Sequence, residues 1–142
     1  MTPRPVDGID PLSRFLGFRW EAPNVLRLTI REDHINPAGL LSGAVGYAMV
    51  DYCMGSTLWV ERADDERIAT IGISINYVQT AREGDVICES TLDRRNDRVA
   101  VMRSEVRHED GRVLATAIGS FAIFPSERLG GHERRPAAPA GE

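Results

Sequence analysis

Asp51 stands inside an almost wholly apolar stretch, Leu40 to Val60 (LLSGAVGYAMVDYCMGSTLWV), which contains no basic residue to neutralise it. Burying an unpaired carboxylate is costly, so a charge kept there either serves a hydrogen bond in the core or faces a site that uses it. Just upstream, Asn36-Pro37-Ala38-Gly39-Leu40-Leu41-Ser42-Gly43-Ala44 is a turn-rich entry that would deliver unpaired backbone N–H groups to a helix start. An isolated acid near oriented amides is the equipment for hydrolysing an acyl group. Small residues at Gly43 and Ala44 would let a substrate approach those amides, although the same residues also permit close helix–sheet packing.

The elements that must position these groups follow from the pattern around them. Asp10-Pro11 reads as an N-cap and first helical position, opening a short helix over Leu12–Leu16. Short strands are predicted at Phe18–Glu21 and Val25–Arg31, joined by Ala22-Pro23-Asn24. A loop over Glu32–Leu41 leads to a long helix, capped by Ser42 and ending near Glu61–Asp65. Four strands are then expected at Ile68–Val78, Asp85–Arg94, Val99–Arg107 and Val113–Phe124, with turn residues between them. On the helix, Ala44, Tyr47, Ala48, Met54, Gly55 and Leu58 would share the face of Asp51. Ala and Gly among them leave room beside the carboxylate for a ligand.

Two strands, one apolar helix and four long meandering strands imply an α+β fold: an antiparallel sheet wrapped around a central helix, the hotdog arrangement. One domain is expected over residues 1–125, with residues 126–142 a flexible tail rich in Gly, Pro and Ala. Gly43 and Asp51 would lie about 12 Å apart along the helix at 1.5 Å per residue. One carbonyl cannot touch both in a single chain, so joint action on one substrate requires acid and amide from different protomers.

Bulk properties narrow the function classes. The chain has 142 residues, a net charge of −4 and 42% hydrophobic residues, which reads as globular and argues against general nucleic-acid binding. All 17 basic residues are arginine, so no lysine nucleophile or Schiff base exists. Cys53 and Cys88 read as buried thiols of a reducing compartment. The N-terminal MTPRPVDGIDPLSRF lacks the apolar run of a signal peptide, and the mid-span Asp51 and glycines count against Leu40–Val60 as a membrane span. A cytoplasmic location without membrane partners is expected. His34, His108 and His132 form no metal-ligand spacing, and neither a metal nor a separate cofactor is expected.

The spacing Asn36-x-x-Gly39-x-x-Ser42-Gly43-Ala44, with Asp51 nine residues after Ser42, resembles the N-x-x-G-x-x-H-G-G…D signature of PaaI-type hotdog acyl-CoA thioesterases. The run Thr70-Ile-Gly-Ile-Ser-Ile-Asn-Tyr77, followed by Arg82-Glu83-Gly84-Asp85, also resembles that family, and the likeness covers roughly Arg14 to Phe124. The resemblance implies that Asp51 is the catalytic acid, attacking the thioester carbonyl or activating water against it. It implies that the Gly43 N–H polarises the carbonyl, that Asn36 helps to hold substrate and water, and that Thr70 orients water. It further implies a homodimer or homotetramer with the site split between protomers, and coenzyme A as part of the substrate. Ser42 and Ala44 replace the motif's histidine and second glycine, so no imidazole is available to the thioester. Both flank the substrate, and Arg82, Arg94, Arg95 and Arg98, which lie in or near turns, are the arginines that could meet the phosphates of coenzyme A, with Arg82 assigned to the substrate-binding residues. A binding protein without turnover is the alternative. A hydratase is the weaker reading, because Asp33-His34-Ile35-Asn36-Pro37 has no histidine after the proline.

Overall fold

The computed structural model describes residues 6–126; the expected tail, His132 included, lies outside them apart from Ser126. Strand β1 (Val6–Asp7) and helix α1 (Pro11–Leu16) come first. Strands β2 (Arg19–Ala22) and β3 (Val25–Thr29) follow, then a 3-10 turn at Glu32–His34 and helix α2 (Gly43–Glu61). The chain continues as β4 (Glu66–Tyr77), β5 (Asp85–Arg95), β6 (Val99–His108) and β7 (Val113–Pro125). The seven described strands form one antiparallel sheet in the order β1-β2-β3-β5-β6-β7-β4, with α2 packed against β3 to β7. This is the hotdog fold.

Alternation makes the sheet one-sided. Ala100, Met102, Ser104, Val106 and His108 of β6 point inward, while Arg103 and Glu105 stay exposed. Against them α2 buries Met49, Val50, Cys53, Met54 and Leu58 completely. A helix with so many apolar positions is stable only where a sheet removes them from water. At Gly119 of β7 the approach is so close that a Cβ would stand 2.6 Å from the Met54 sulfur. The two cysteines stay free and buried, and the Cys53 thiol donates to the carbonyls of Asn24 and Cys88.

Helix α1 has the expected cap: Asp10 Oδ1 accepts from the Ser13 N–H at 2.8 Å, and Gly17 closes the helix at φ 80°. The Tyr52 hydroxyl donates to the Asp10 carboxylate at 2.8 Å, tying α1 to the middle of α2. Two elements are missed by sequence patterning, the two-residue β1 and the 3-10 turn. The loop before α2 and its Ser42 cap fall where expected, the helix beginning at Gly43. Among the described residues, no helix is long and apolar enough to cross a membrane.

Candidate active site

The entry loop is a set of hydrogen bonds centred on Asn36. Its N–H donates to the Leu40 carbonyl, and its Oδ1 accepts from the N–H groups of Ala38 and Leu40. Gly39 makes this turn possible by taking φ 80°, a conformation side chains resist. Upstream, buried His34 accepts from the Arg31 N–H through Nδ1, faces the Leu16 carbonyl through Nε2 at 2.8 Å, and offers its own carbonyl to the Ser42 N–H. Burial lowers the His34 pKa from its ordinary 6.5, with Arg31 adding to the effect and the Leu16 contact opposing it. The histidine is therefore a neutral strut holding the loop to α1.

Ser42 caps α2, its Oγ accepting from the Ala44 N–H at 3.2 Å. That bond revises an expectation: Ala44 does not offer a free amide beside Gly43, because the cap already uses it. The Gly43 N–H, at the first helical position, has no intrahelical acceptor. Asn36, Ser42, Gly43 and Tyr77 line one side of a cleft of about 200 Å³. Tyr77 comes from β4, and its hydroxyl donates to the Gly43 carbonyl. A Cβ at Gly43 would lie 3.2 Å from the Tyr77 ring, so glycine makes room for that ring. Nothing in the local sequence pairs Tyr77 with Gly43; the pairing arises from strand placement.

Two turns along α2, Asp51 lies in a second cleft, of about 780 Å³ and mostly apolar. The expectation of a buried, unpartnered carboxylate is corrected here. Asp51 is half-buried, and its Oδ1 accepts from the Thr70 hydroxyl at 2.8 Å. The β4 register explains the contact. Thr70 stands opposite Phe121 of β7, and the ladder is irregular between Thr70 and Gly72. A bulge of this kind bends its strand and redirects the side chains beside it. The expected neighbours of Asp51 divide: Gly55 lines the cleft, Met54 and Leu58 are core, and Ala44 and Tyr47 are exposed.

The structure thus gathers Asn36, Ser42 and Gly43 at the start of α2, and Asp51 with Thr70 near its middle. Arg82 joins neither group. It lines a separate polar hollow with His108, Asp110 and Arg112, beyond Thr80 and Ala81 at the edge of the Gly43 cleft. Arg95, another arginine near a turn, is held by Glu66 through two bonds of 2.8 and 3.1 Å.

A fold of this shape, with its chemistry concentrated at one helix and the loop before it, defines a class, and the comparisons agree. The profile of the Thioesterase superfamily matches residues 38–115, more than half of the chain. The chain belongs to the thioesterase superfamily. It is 29% identical over 93 residues to the medium/long-chain acyl-CoA thioesterase YigI of Salmonella typhimurium, a match that spans 60% of each chain. Among solved structures, thioesterase HI1161 of Haemophilus influenzae superposes with a TM-score of 0.76 at 16% identity, over 82% of this chain and 83% of that one. The BH2602 protein of Bacillus halodurans, solved with CoA, gives 0.76 at 19% identity over 80% and 75%. These two likenesses concern the fold.

Proposed function

We propose that this protein is an acyl-CoA thioesterase of the PaaI-like kind, acting as a homo-oligomer whose sites combine residues of two protomers. The observation that carries the reading is the Asp51–Thr70 pair, an acid held by one hydroxyl at the mouth of a large apolar cleft. With Oδ1 occupied by Thr70, Oδ2 is left for a water. Asp51 takes a proton from that water as its oxygen adds to the thioester carbonyl. The carbonyl oxygen gains charge and is met by the Gly43 N–H, strengthened by the positive end of α2. When the carbon–sulfur bond breaks, the proton passes to the departing thiolate, leaving a carboxylic acid and coenzyme A. Asn36, with its Oδ1 committed to the loop, offers its amide hydrogens to substrate or water. Attack by Asp51 itself would use the same residues and pass through an anhydride.

The separation of the two clefts supports the shared site, since acid and amide of one chain sit about 12 Å apart along α2. Strand β4 is the edge of the sheet, and Ile71 and Tyr77 on it are 60% and 53% exposed. An unpaired apolar edge invites a second copy. Arg82 would then be available to a phosphate of coenzyme A, but no contact ties it to either cleft.

Release of free thiol from a panel of aryl- and fatty-acyl-CoA thioesters, wild type beside Asp51→Asn, tests the proposal. Turnover by the wild type that the variant lacks supports it. Binding of the same ligands without hydrolysis by the wild type would instead indicate a binding protein, the reading that the absent motif histidine favours.

A further inference from the structure

The apolar cleft beside Asp51 has a direction. Its lining follows α2 from Asp51 past Gly55 to Val60, with Trp20 and Phe121 also on its walls, and it opens to solvent at the exposed Ile9, Trp59 and Val60. Nine helical residues span about 13 Å. An extended carbon chain advances about 1.2 Å per bond, so about eleven bonds fit that length.

The polar groups in the cleft wall are turned to one another. Trp20 Nε1 donates to Ser56 Oγ at 2.9 Å, and Ser56 donates to the Pro23 carbonyl. The Tyr52 hydroxyl donates to Asp10, and burial together with that carboxylate pushes its pKa up to about 12. A terminal carboxylate on the acyl group would meet the acidic Glu21 as well as Asp51. Gly55 lies one turn beyond Asp51 on the same helix face. A Cβ built on it meets only Phe121, at 4.0 Å, so a larger side chain there would grow into the cleft instead of the core.

Building on the thioesterase reading, we propose that the cleft takes an unbranched aliphatic acyl chain of about ten carbons with no second carboxylate, and that the missing side chain at Gly55 is what admits the carbons beyond the first helical turn. Each methylene that enters should raise affinity roughly fourfold, until the chain reaches Val60. Glycine at this helical position has no local justification, being less favourable than alanine by about 1 kcal/mol. An open channel explains it.

Trp20 lines the cleft, so its fluorescence can follow binding without turnover. The full-length protein would be titrated with straight-chain carboxylic acids of increasing length, and with dicarboxylic analogues. The wild type should bind more tightly with each added methylene up to about ten carbons and then level off, and the dicarboxylic analogues should bind at least tenfold more weakly. In Gly55→Leu the plateau should fall to chains several carbons shorter, with Gly55→Ala intermediate; circular dichroism of both variants checks that they fold. An unchanged length profile in folded Gly55→Ala and Gly55→Leu would overturn the assignment of Gly55. Equal binding of the dicarboxylic acids, or no dependence on length, would overturn the chain itself. Because binding is read directly, these outcomes are separate from a failure of hydrolysis, which would count only against the thioesterase.

Discussion

The two clefts along α2 are built from different materials. At the start of the helix the donors are backbone groups, set by a glycine turn, a capped first turn and an asparagine whose oxygen closes its own loop, beside the Tyr77 ring. Near the middle the polar groups are side chains, a carboxylate and a hydroxyl at the mouth of an apolar hollow. Backbone groups so held need no rotamer to be fixed, which suits a donor that must already be oriented when charge appears. A side-chain acid can gain and lose a proton, which no amide does near neutral pH. In the reading above, one end supplies an oriented dipole and the other exchanges the proton.

The comparison breaks most directly at the acid. Asp51→Asn keeps the size of the side chain and an acceptor for Thr70, yet removes the base. The kcat of thioester hydrolysis should fall about 10³-fold, with KM changed less than threefold. A loss below tenfold in steady-state assays would remove Asp51 from the chemistry.

A smaller loss should follow at the amide end. Proline is tolerated at the first helical position, and Ser42 already has the extended φ −61°, ψ 133° that a following proline requires. Gly43→Pro therefore deletes one N–H while keeping the helix start, although Tyr77 must shift by a few tenths of an ångström. We expect kcat about 10²-fold lower. Mixing this variant with Asp51→Asn separates the two arrangements. If acid and amide come from different protomers, each mixed dimer regains one intact site, and random exchange restores about a quarter of wild-type activity. Mixtures no more active than either parent would place both groups in one chain.

Thr70 should matter less than either. Thr70→Val removes the hydroxyl that fixes Asp51 Oδ1 and keeps the β-branched shape that suits a strand. A loss in kcat of about tenfold is expected, largely recovered in Thr70→Ser. Equal losses in the two variants would mean that the methyl group, not the hydroxyl, is what counts.

How much of this could be read from the chain depends on the range of the contacts. The Ser42 cap, the Asp10-Pro11 helix start and the alternation of β6 are decided within a few residues, and each stands where local rules put it. Asp51 was legible as an anomaly but not as a pair. Its apolar neighbours in sequence suggested full burial, whereas in the helix only some of them share its face and that face opens on a cleft. Thr70 reaches Asp51 through the β4–β7 register and an irregularity at Ile71, which no local pattern specifies. Tyr77 meets Gly43 for the same reason. The Ala44 amide was misread because Ser42 had to be assigned both as a cap and as a neighbour of free donors, and one hydroxyl settles which amide remains.

The finest contrast between the clefts is in their response to acid. The amide end hangs on neutral His34, whose Nδ1 accepts from the Arg31 N–H and whose carbonyl receives the Ser42 N–H. Protonation would turn that acceptor into a donor facing a donor. Because burial holds the folded pKa below 6.5, His34 favours folding fully above that pH, and the contribution is lost as pH falls through the lower folded value. The Asp10 carboxylate acts in a lower window: burial would raise its pKa, but the Ser13 and Tyr52 hydrogen bonds outweigh burial and hold it below 3.8. Its contribution is present above 3.8 and lost below the depressed value. Thermal unfolding followed from pH 7 to pH 5 should therefore show a fall of a few degrees in the wild type. His34→Gln, though less stable throughout, should be flat over that interval. Hydrogen exchange should show the first loss of protection at Ser42 and Leu40, before any at Thr70, because acid reaches one end of α2 through a histidine and the other has none.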